Sequence, residues 1–498
     1  MSKTKEMVRL ATGVRNLDEI LGGGLPRGSV TVVAGPPGSG KTILSQQLSF
    51  RNATAENPVL YFNTLSEPTA KTLRYLKQLS FFDAKAFDTS IHFVDLGVLL
   101  RTNGLEKTFA LFLKHLKEVQ PRIVVIDSFK VFDELAHSQE ERRKFGYELV
   151  VTLMAWETTA LLLGEYGADD YEANPLFSIA DGLVVVSQRQ SAGENQRFIQ
   201  VVKMRGTEHS TDEHAFLISG KGIEVYAPRV TIQRKGAADR VTEARCHTHI
   251  SKLDDLLGEG IPLGSSLLVS GAAGTGKTVF LLEFIYRGAL AGEKGILFSF
   301  EETEERLRAS ARGLGWELDR EIDRGMVEIV FISQPNILVE KHLLMIRERV
   351  EALGARRVAI DSVSVFLYKI NDPLAAREKT FQLASIVQNA HAVGFLATDI
   401  PYGSHQISRF GVEETVVDGV ILLSCTEEGR ERARYLEVYK LRNTAHLHGR
   451  HNIAIGADGL SIFPRYADDS RVEGANKLKA LGTAAQNRRR RKRRRAGP

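Results

Sequence analysis

Two eight-residue runs carry residue types and spacing suited to holding phosphate. Gly35, Pro36, Pro37, Gly38, Ser39, Gly40, Lys41 and Thr42 read GPPGSGKT, and Gly271, Ala272, Ala273, Gly274, Thr275, Gly276, Lys277 and Thr278 read GAAGTGKT. Glycines at these positions let successive backbone N–H groups turn inward around phosphate oxygens. A following helix adds its positive end. Lys41 or Lys277 then reaches the β- and γ-phosphates, and Thr42 or Thr278 offers a hydroxyl to Mg²⁺. Each run follows an apolar stretch, at 30–34 and 267–270, and precedes a helical pattern, which is the context this chemistry needs. ATP and Mg²⁺ are the expected cofactors.

Asp127 and Asp361 end the apolar runs IVVID and VAID, each followed by serine. A carboxylate at the carboxyl end of a buried strand beside such a loop organises a divalent cation and its waters. Hydrolysis also needs a group that orients the attacking water. After the next apolar run, the second half of the chain offers the adjacent carboxylates Glu301 and Glu302, and the first half offers Glu67 alone. Adjacent residues at a strand end face different sides, so one glutamate of the pair faces the phosphate and the other holds structure.

The elements that position these residues occur twice. Lys41 and Lys277 are 236 residues apart, Asp127 and Asp361 are 234 apart, and the DG aspartates Asp181 and Asp418 are 237 apart. VVKMRGT at 201–207 recurs as VYKLRNT at 438–444, and TGVRNLDEILGGGLPRGS at 12–29 recurs as THISKLDDLLGEGIPLGS at 248–265. A repeat this long is a tandem domain duplication. The expected boundaries are a first domain over 1–228, a polar linker over 229–245, a second domain over 246–466 and a disordered tail over 467–498. Within each copy, short β-branched runs alternate with amphipathic stretches such as 42–52 and 301–313, read as helices. That alternation predicts an α/β domain with a central, mostly parallel sheet flanked by helices.

The net charge of +5 belongs to the tail. RRRRKRRR at 488–495 carries +8, which leaves the rest of the chain at −3. Two cysteines, Cys246 and Cys425, imply neither a disulfide framework nor a zinc module. No apolar run has the length of a membrane span, and the amino end lacks a secretory pattern, so a cytoplasmic location without membrane contact is expected.

Taken together, the opening segments, the two phosphate loops, SFEET at 299–303, GVEE at 411–414 before a DG strand, and the KxR strands resemble the KaiC family of RecA-like ATPases. The resemblance covers about 7–464. It implies two tandem RecA-like P-loop NTPase domains in a homohexameric double ring, which can stack to a dodecamer, with ATP bound between neighbouring subunits. It implies that Lys203 and Arg205, and Lys440 and Arg442, reach the γ-phosphate held by an adjacent subunit. It also implies that the first domain docks a KaiB-like protein, and that the second phosphorylates and dephosphorylates itself. The position matching the family's phosphorylation site is Thr415, preceded by Glu414 where clock members carry serine; Glu414 either imitates a phosphoserine or is the plain family residue. Glu301 and Glu302 are the candidate bases for that transfer, and Ser408 is a further hydroxyl in the segment. The chain after Pro464 has no match to a KaiA-binding end, so no KaiA partner is expected.

Two other readings share these nucleotide sites. One is a RecA/RadA-like or DnaB-like DNA-dependent ATPase, with the basic tail touching nucleic-acid phosphates. The other is an assembly module that ATP merely holds together.

Overall fold

In a computed structural model, the chain forms two compact units, Met1–Pro228 and Arg229–Pro498. The structure describes residues 7–64, 69–191, 194–226, 244–258, 260–368, 370, 372–401, 404, 406–428 and 431–465. Glu67, residues 229–243 of the expected linker and the whole expected tail lie outside them.

In the first unit nine strands form one sheet. They are β1 (Val30–Ala34), β2 (Val59–Asn63), β3 (Ile91–Asp95), β4 (Ile123–Asp127), β5 (Thr159–Gly164), β6 (Gly182–Ser191), β7 (Glu194–Met204), β8 (Glu213–Ser219) and β9 (Gly222–Tyr226). The order across the sheet is β9-β8-β7-β6-β1-β5-β4-β2-β3. The six strands from β6 to β3 are parallel. The ribbon from β6 to β9 is antiparallel.

The second unit repeats this plan with β10 (Ser266–Gly271), β11 (Gly295–Ser299), β12 (Val327–Phe331), β13 (Arg357–Asp361), β14 (Val393–Asp399), β15 (Gly419–Glu428), β16 (Glu431–Leu441), β17 (Arg450–Gly456) and β18 (Gly459–Phe463). Its order, β18-β17-β16-β15-β10-β14-β13-β11-β12, is the same strand for strand. Both units are therefore α/β with a mostly parallel sheet.

The central strands read as continuous apolar runs because both faces are covered. Val33, Tyr61, Val125 and Leu161 point into one core layer. Val32, Leu60, Val124 and Leu162 point into the other, as the two-residue period of a strand requires. Helix α1 (Lys41–Asn52) packs Leu44 and Leu48 into the first layer, and α2 (Lys277–Leu290) does the same with Phe280, Leu281 and Phe284 in the second unit.

Two sequence expectations need correction. The helix expected over 301–313 is α3 (Glu304–Gly313), which starts three residues later. Thr303 is extended at its N-cap, and Ser299 ties the preceding turn by donating its hydroxyl to Glu302 O (2.7 Å) and accepting from Glu302 N (3.1 Å). The KxR motifs are also not wholly strand. β7 ends at Met204 and β16 at Leu441, so Arg205 and Arg442 lie just past the strand ends.

Candidate nucleotide site

The loop 35–42 bridges β1 and α1, and 271–278 bridges β10 and α2. Gly40 and Gly276 are the helix N-caps, at φ 105° and 104°. Those left-handed angles suit glycine, and a Cβ there would come within 2.8 Å of Ile218 or 2.6 Å of Ile455. Lys41 Nζ donates to the carbonyls of Gly35 and Pro36, both at 2.8 Å. Lys277 Nζ does the same to Gly271 (2.9 Å) and Ala272 (3.1 Å). Both lysines are 8% exposed, folded over the loop they would hand to a phosphate. Burial lowers the Lys41 pKa, and the charges of Glu165 and Asp127 oppose that shift.

Asp127 and Asp361 end β4 and β13 at the same sheet edge. Thr42 Oγ1 donates to Asp127 Oδ2 at 2.7 Å, and Thr278 Oγ1 donates to Asp361 Oδ2 at 2.7 Å. The hydroxyl and carboxylate are hard oxygen donors of the kind Mg²⁺ takes, so each pair fits a metal bound together with substrate phosphates. In the first unit Tyr61 OH also donates to Asp127 Oδ2, at 3.0 Å. Burial, reinforced by the nearby charges of Glu301 and Asp399, pushes the Asp361 carboxyl up to about 6.

Of the glutamate pair, Glu301 faces this edge. Its Oε1 accepts from Ser362 Oγ at 2.9 Å, and burial of the carboxylate raises its pKa. Among the described residues Glu302 enters the turn through its backbone, with no side-chain hydrogen bond.

The sequence reading missed four residues here. Glu165 directly follows β5 and Asp399 ends β14, again 234 residues apart. Asp399 Oδ1 pairs with Lys277 Nζ at 2.7 Å, and Asp399 Oδ2 accepts from Ser362 Oγ at 3.1 Å. The signal was available: a carboxylate closing an apolar strand at the repeat spacing. The other two are arginines. A cavity of about 500 Å³ in the first unit is bordered by Lys41, Thr42, Asp127, Glu165 and Arg197. Arg197 Nε is buried without a hydrogen bond among the described residues, and so is Nε of Arg434, which is 237 residues further on. Only the antiparallel ribbon brings Arg197 to this edge.

Lys203, Arg205, Lys440 and Arg442 sit at the opposite edge. Met204 pairs with Gly182 and Leu441 with Gly419, at the starts of β6 and β15. Lys203 Nζ donates to the carbonyls of Phe177 (3.0 Å), Ser178 (3.1 Å) and Ala180 (2.7 Å), and Arg205 Nη2 donates to Ser178 O (2.9 Å). Lys440 Nζ donates to Glu414 O (3.0 Å) and Val417 O (2.9 Å), and Arg442 Nη2 donates to Thr415 O (3.3 Å). Burial, then the neighbouring arginine, lowers the pKa of Lys203 and of Lys440. Asp181 and Asp418 have a structural task, accepting from Val30 N and Ser266 N at 3.0 Å to fix the starts of β1 and β10.

Thr415 lies on the same edge, in the turn of helix Glu413–Val416, with its hydroxyl on Val412 O at 2.6 Å. Ser408 is fully buried, with Oγ between Glu413 Oε2 (2.7 Å) and a carboxylate oxygen of Glu414. It is therefore a fixed part of the loop core, closed to a phosphoryl donor in this conformation.

The comparisons with known proteins agree with this architecture. The family model described as "ATPase: KaiC" matches residues 10–230 and again 246–467. The chain is 27% identical over 492 residues to the circadian clock oscillator protein KaiC of Parathermosynechococcus lividus, covering 95% of this chain and 88% of that protein. It is 26% identical over 486 residues to the circadian clock oscillator protein KaiC 1 of Synechocystis sp., covering 94% and 91%. It is 27% identical over 485 residues to the circadian clock protein KaiC3 of the same organism, covering 92% of each. With both halves matched and the same sheet and phosphate loop built twice, this chain belongs to the KaiC ATPase family.

Proposed function

We propose that the chain hydrolyses ATP at both P-loops in a homohexameric double ring, and that each site is completed by a neighbouring copy. The observation that carries this reading is a separation within one domain. The P-loop, Asp361 and Glu301 are at the carboxyl edge of the sheet, whereas Lys440, Arg442 and Thr415 are at the other. About five strand residues lie between, roughly 16 Å. No side chain crosses that span, so the KxR cations act on a phosphate only when it is presented by a second copy.

Thr42 and Asp127, or Thr278 and Asp361, would hold Mg²⁺, which would supply neutralisation of the phosphate charge. Lys41 and Lys277 leave their loop carbonyls for the phosphates. Glu301 orients the attacking water and accepts its proton, and its raised pKa brings it nearer the pH at which a base works. In the first domain Glu67 takes that role.

The second domain also transfers phosphate to itself. Thr415 Oγ attacks the γ-phosphorus held by a neighbour, its proton passes to that neighbour's Glu301, the bond to the β-phosphate oxygen breaks, and ADP leaves. Water later removes the phosphate. A timing role with a KaiB-like partner on the first domain extends this reading. The carboxylate of Glu414 beside buried Ser408 supports its reading as a plain family residue. Among the described residues no helix is long and apolar enough to cross a membrane, in keeping with a cytoplasmic location.

The test mixes two inactive variants, Lys277→Ala and Lys440→Ala/Arg442→Ala, both carrying Lys41→Ala to silence the first domain. A 1:1 mixture should recover about one quarter of the reference turnover, because one interface in four unites an intact loop with intact cations. No recovery after subunit exchange would sink the shared site. Intact-mass and phosphopeptide mapping with Mg·ATP then reads the transfer. Turnover with no phosphate on Thr415 would remove the autokinase and leave the ATPase.

A further inference from the structure

The first domain has a second cavity, of about 460 Å³, at the sheet edge away from the P-loop. Its walls include Ile123 at the start of β4, Thr159 at the start of β5, Asn52 at the end of α1, and Arg27, Arg122 and Glu157. The duplication supplies an internal control for this place. At the position of Ile123 the second domain carries Arg357, and at that of Asn52 it carries Gly288.

Arg357 is fully buried and fills the corresponding space. Its guanidinium donates to the carbonyls of His247 (2.6 Å), Phe284 (2.7 Å) and Thr248 (3.1 Å) and to Glu293 Oε2 (2.6 Å). A Cβ on Gly288 would come within 2.2 Å of it, so the arginine requires that glycine. The first domain solves the same backbone problem with Asn52, whose Nδ2 donates to Ala11 O and Leu48 O, both at 2.8 Å. Those carbonyls correspond to His247 and Phe284. Asn52 satisfies them without crossing the gap, and the short Ile123 leaves open the space that the arginine arm takes in the other domain.

The rim differs as well. Arg27 stands where the second domain has Leu263. Arg27 and Arg122 are both exposed, and neither side chain makes a hydrogen bond or ion pair among the described residues. Two guanidinium groups over one opening suit a dianion, because each offers a planar fork of donors that matches phosphate oxygens. The volume falls within the range of small-molecule sites and exceeds what inorganic phosphate fills. Asn57 and Glu157 provide partners for hydroxyls, and Ile123 gives an apolar floor.

We propose that this cavity is a ligand site of the first domain alone, taking a small phosphate-bearing ligand whose phosphate lies between Arg27 and Arg122.

The test uses the full chain with both P-loops saturated by a magnesium complex of a non-hydrolysable ATP analogue. Ribose 5-phosphate and inorganic phosphate are titrated separately by calorimetry. The expected result is saturable binding, one site per chain, weakened at least tenfold in Arg27→Gln/Arg122→Gln. It should be abolished in Ile123→Arg/Asn52→Gly, which installs the second domain's plug. Tighter binding of ribose 5-phosphate assigns an organic phosphate, and equal binding assigns free phosphate. If the plug variant misfolds, the surface arginine variant still decides. Unchanged affinity in that variant, or no saturable binding of either probe at millimolar concentration, overturns the proposal.

Discussion

Lys277 Nζ lies 2.7 Å from Asp399 Oδ1, so the P-loop lysine of the second domain is ion-paired to a carboxylate while it also donates to the loop carbonyls. A ligand phosphate must compete with that carboxylate. Replacing Asp399 with Asn removes the competing charge and keeps the shape. Asp399→Asn in the Lys41→Ala background should bind a fluorescent ATP analogue about 3- to 10-fold more tightly, roughly 1 kcal/mol. Unchanged or weaker affinity would show that the contact does not oppose binding.

Glu301 and Glu302 are adjacent, and only Glu301 reaches the Ser362 hydroxyl. With the first domain silenced, Glu301→Gln should lower ADP release by about 10² to 10⁴-fold while nucleotide affinity holds. Glu302→Gln should stay within about threefold of the reference, since its side chain is outside that network. Equal losses in both variants would reject the assignment of roles.

Asp361 supplies a pH test. Burial raises its carboxyl to about 6 against 3.8 for the unfolded chain. The folded ligand-free protein thus holds the proton more tightly than the unfolded one. Its stability contribution is full below pH 3.8 and is lost as pH rises through about 6, up to roughly 3 kcal/mol. Asp361→Asn should therefore raise the melting temperature of the ligand-free second domain by several degrees at pH 7.5, with little change near pH 4. The same variant should lose Mg²⁺-dependent nucleotide binding. In the unsubstituted site that binding should weaken as pH falls below about 6, because a protonated carboxyl is a poor cation ligand. Calorimetric melting and nucleotide titration at both pH values check the two halves.

Ser408 and Thr415 should separate under substitution. Ser408 is buried against Glu413, whose carboxylate also accepts from the backbone N–H groups of Phe410 and Val412. Ser408→Ala removes a donor from that carboxylate and should cost about 1–3 kcal/mol in the second domain's unfolding. Thr415→Ala exposes nothing polar and should cost less than about 0.5 kcal/mol. Urea denaturation of each variant reads the difference.

Much of this protein follows from residue types and spacing. The two loops, Asp127 and Asp361, and the repeat spacing are local features, and a glycine-rich loop between an apolar run and a helix has few conformations open to it. The strand runs were legible because burial on both faces leaves them mostly apolar, with isolated exceptions such as Thr31 and Arg357. The start of α3 was not. Whether Glu301 and Glu302 begin a helix or end a turn depends on the Ser299 hydroxyl closing on Glu302, a contact that helical periodicity does not encode.

Residue types and spacing were enough to read a duplicated α/β domain with a phosphate-loop motif in each copy, and to single out the lysines, threonines and aspartates that are candidates for its sites. How distant segments meet came from the folded arrangement of the strands. It brought Asp399 to Lys277 and Arg197 to the first P-loop, since the strand order joins elements more than a hundred residues apart. It put Thr415 and Lys440 on the edge away from Glu301, because β15 runs parallel to β10 and β16 returns antiparallel. It also turned the exchange of Ile123 for Arg357 into a cavity in one domain and a filled core in the other. What a side chain fills depends on the wall opposite it, and that wall comes from another part of the chain.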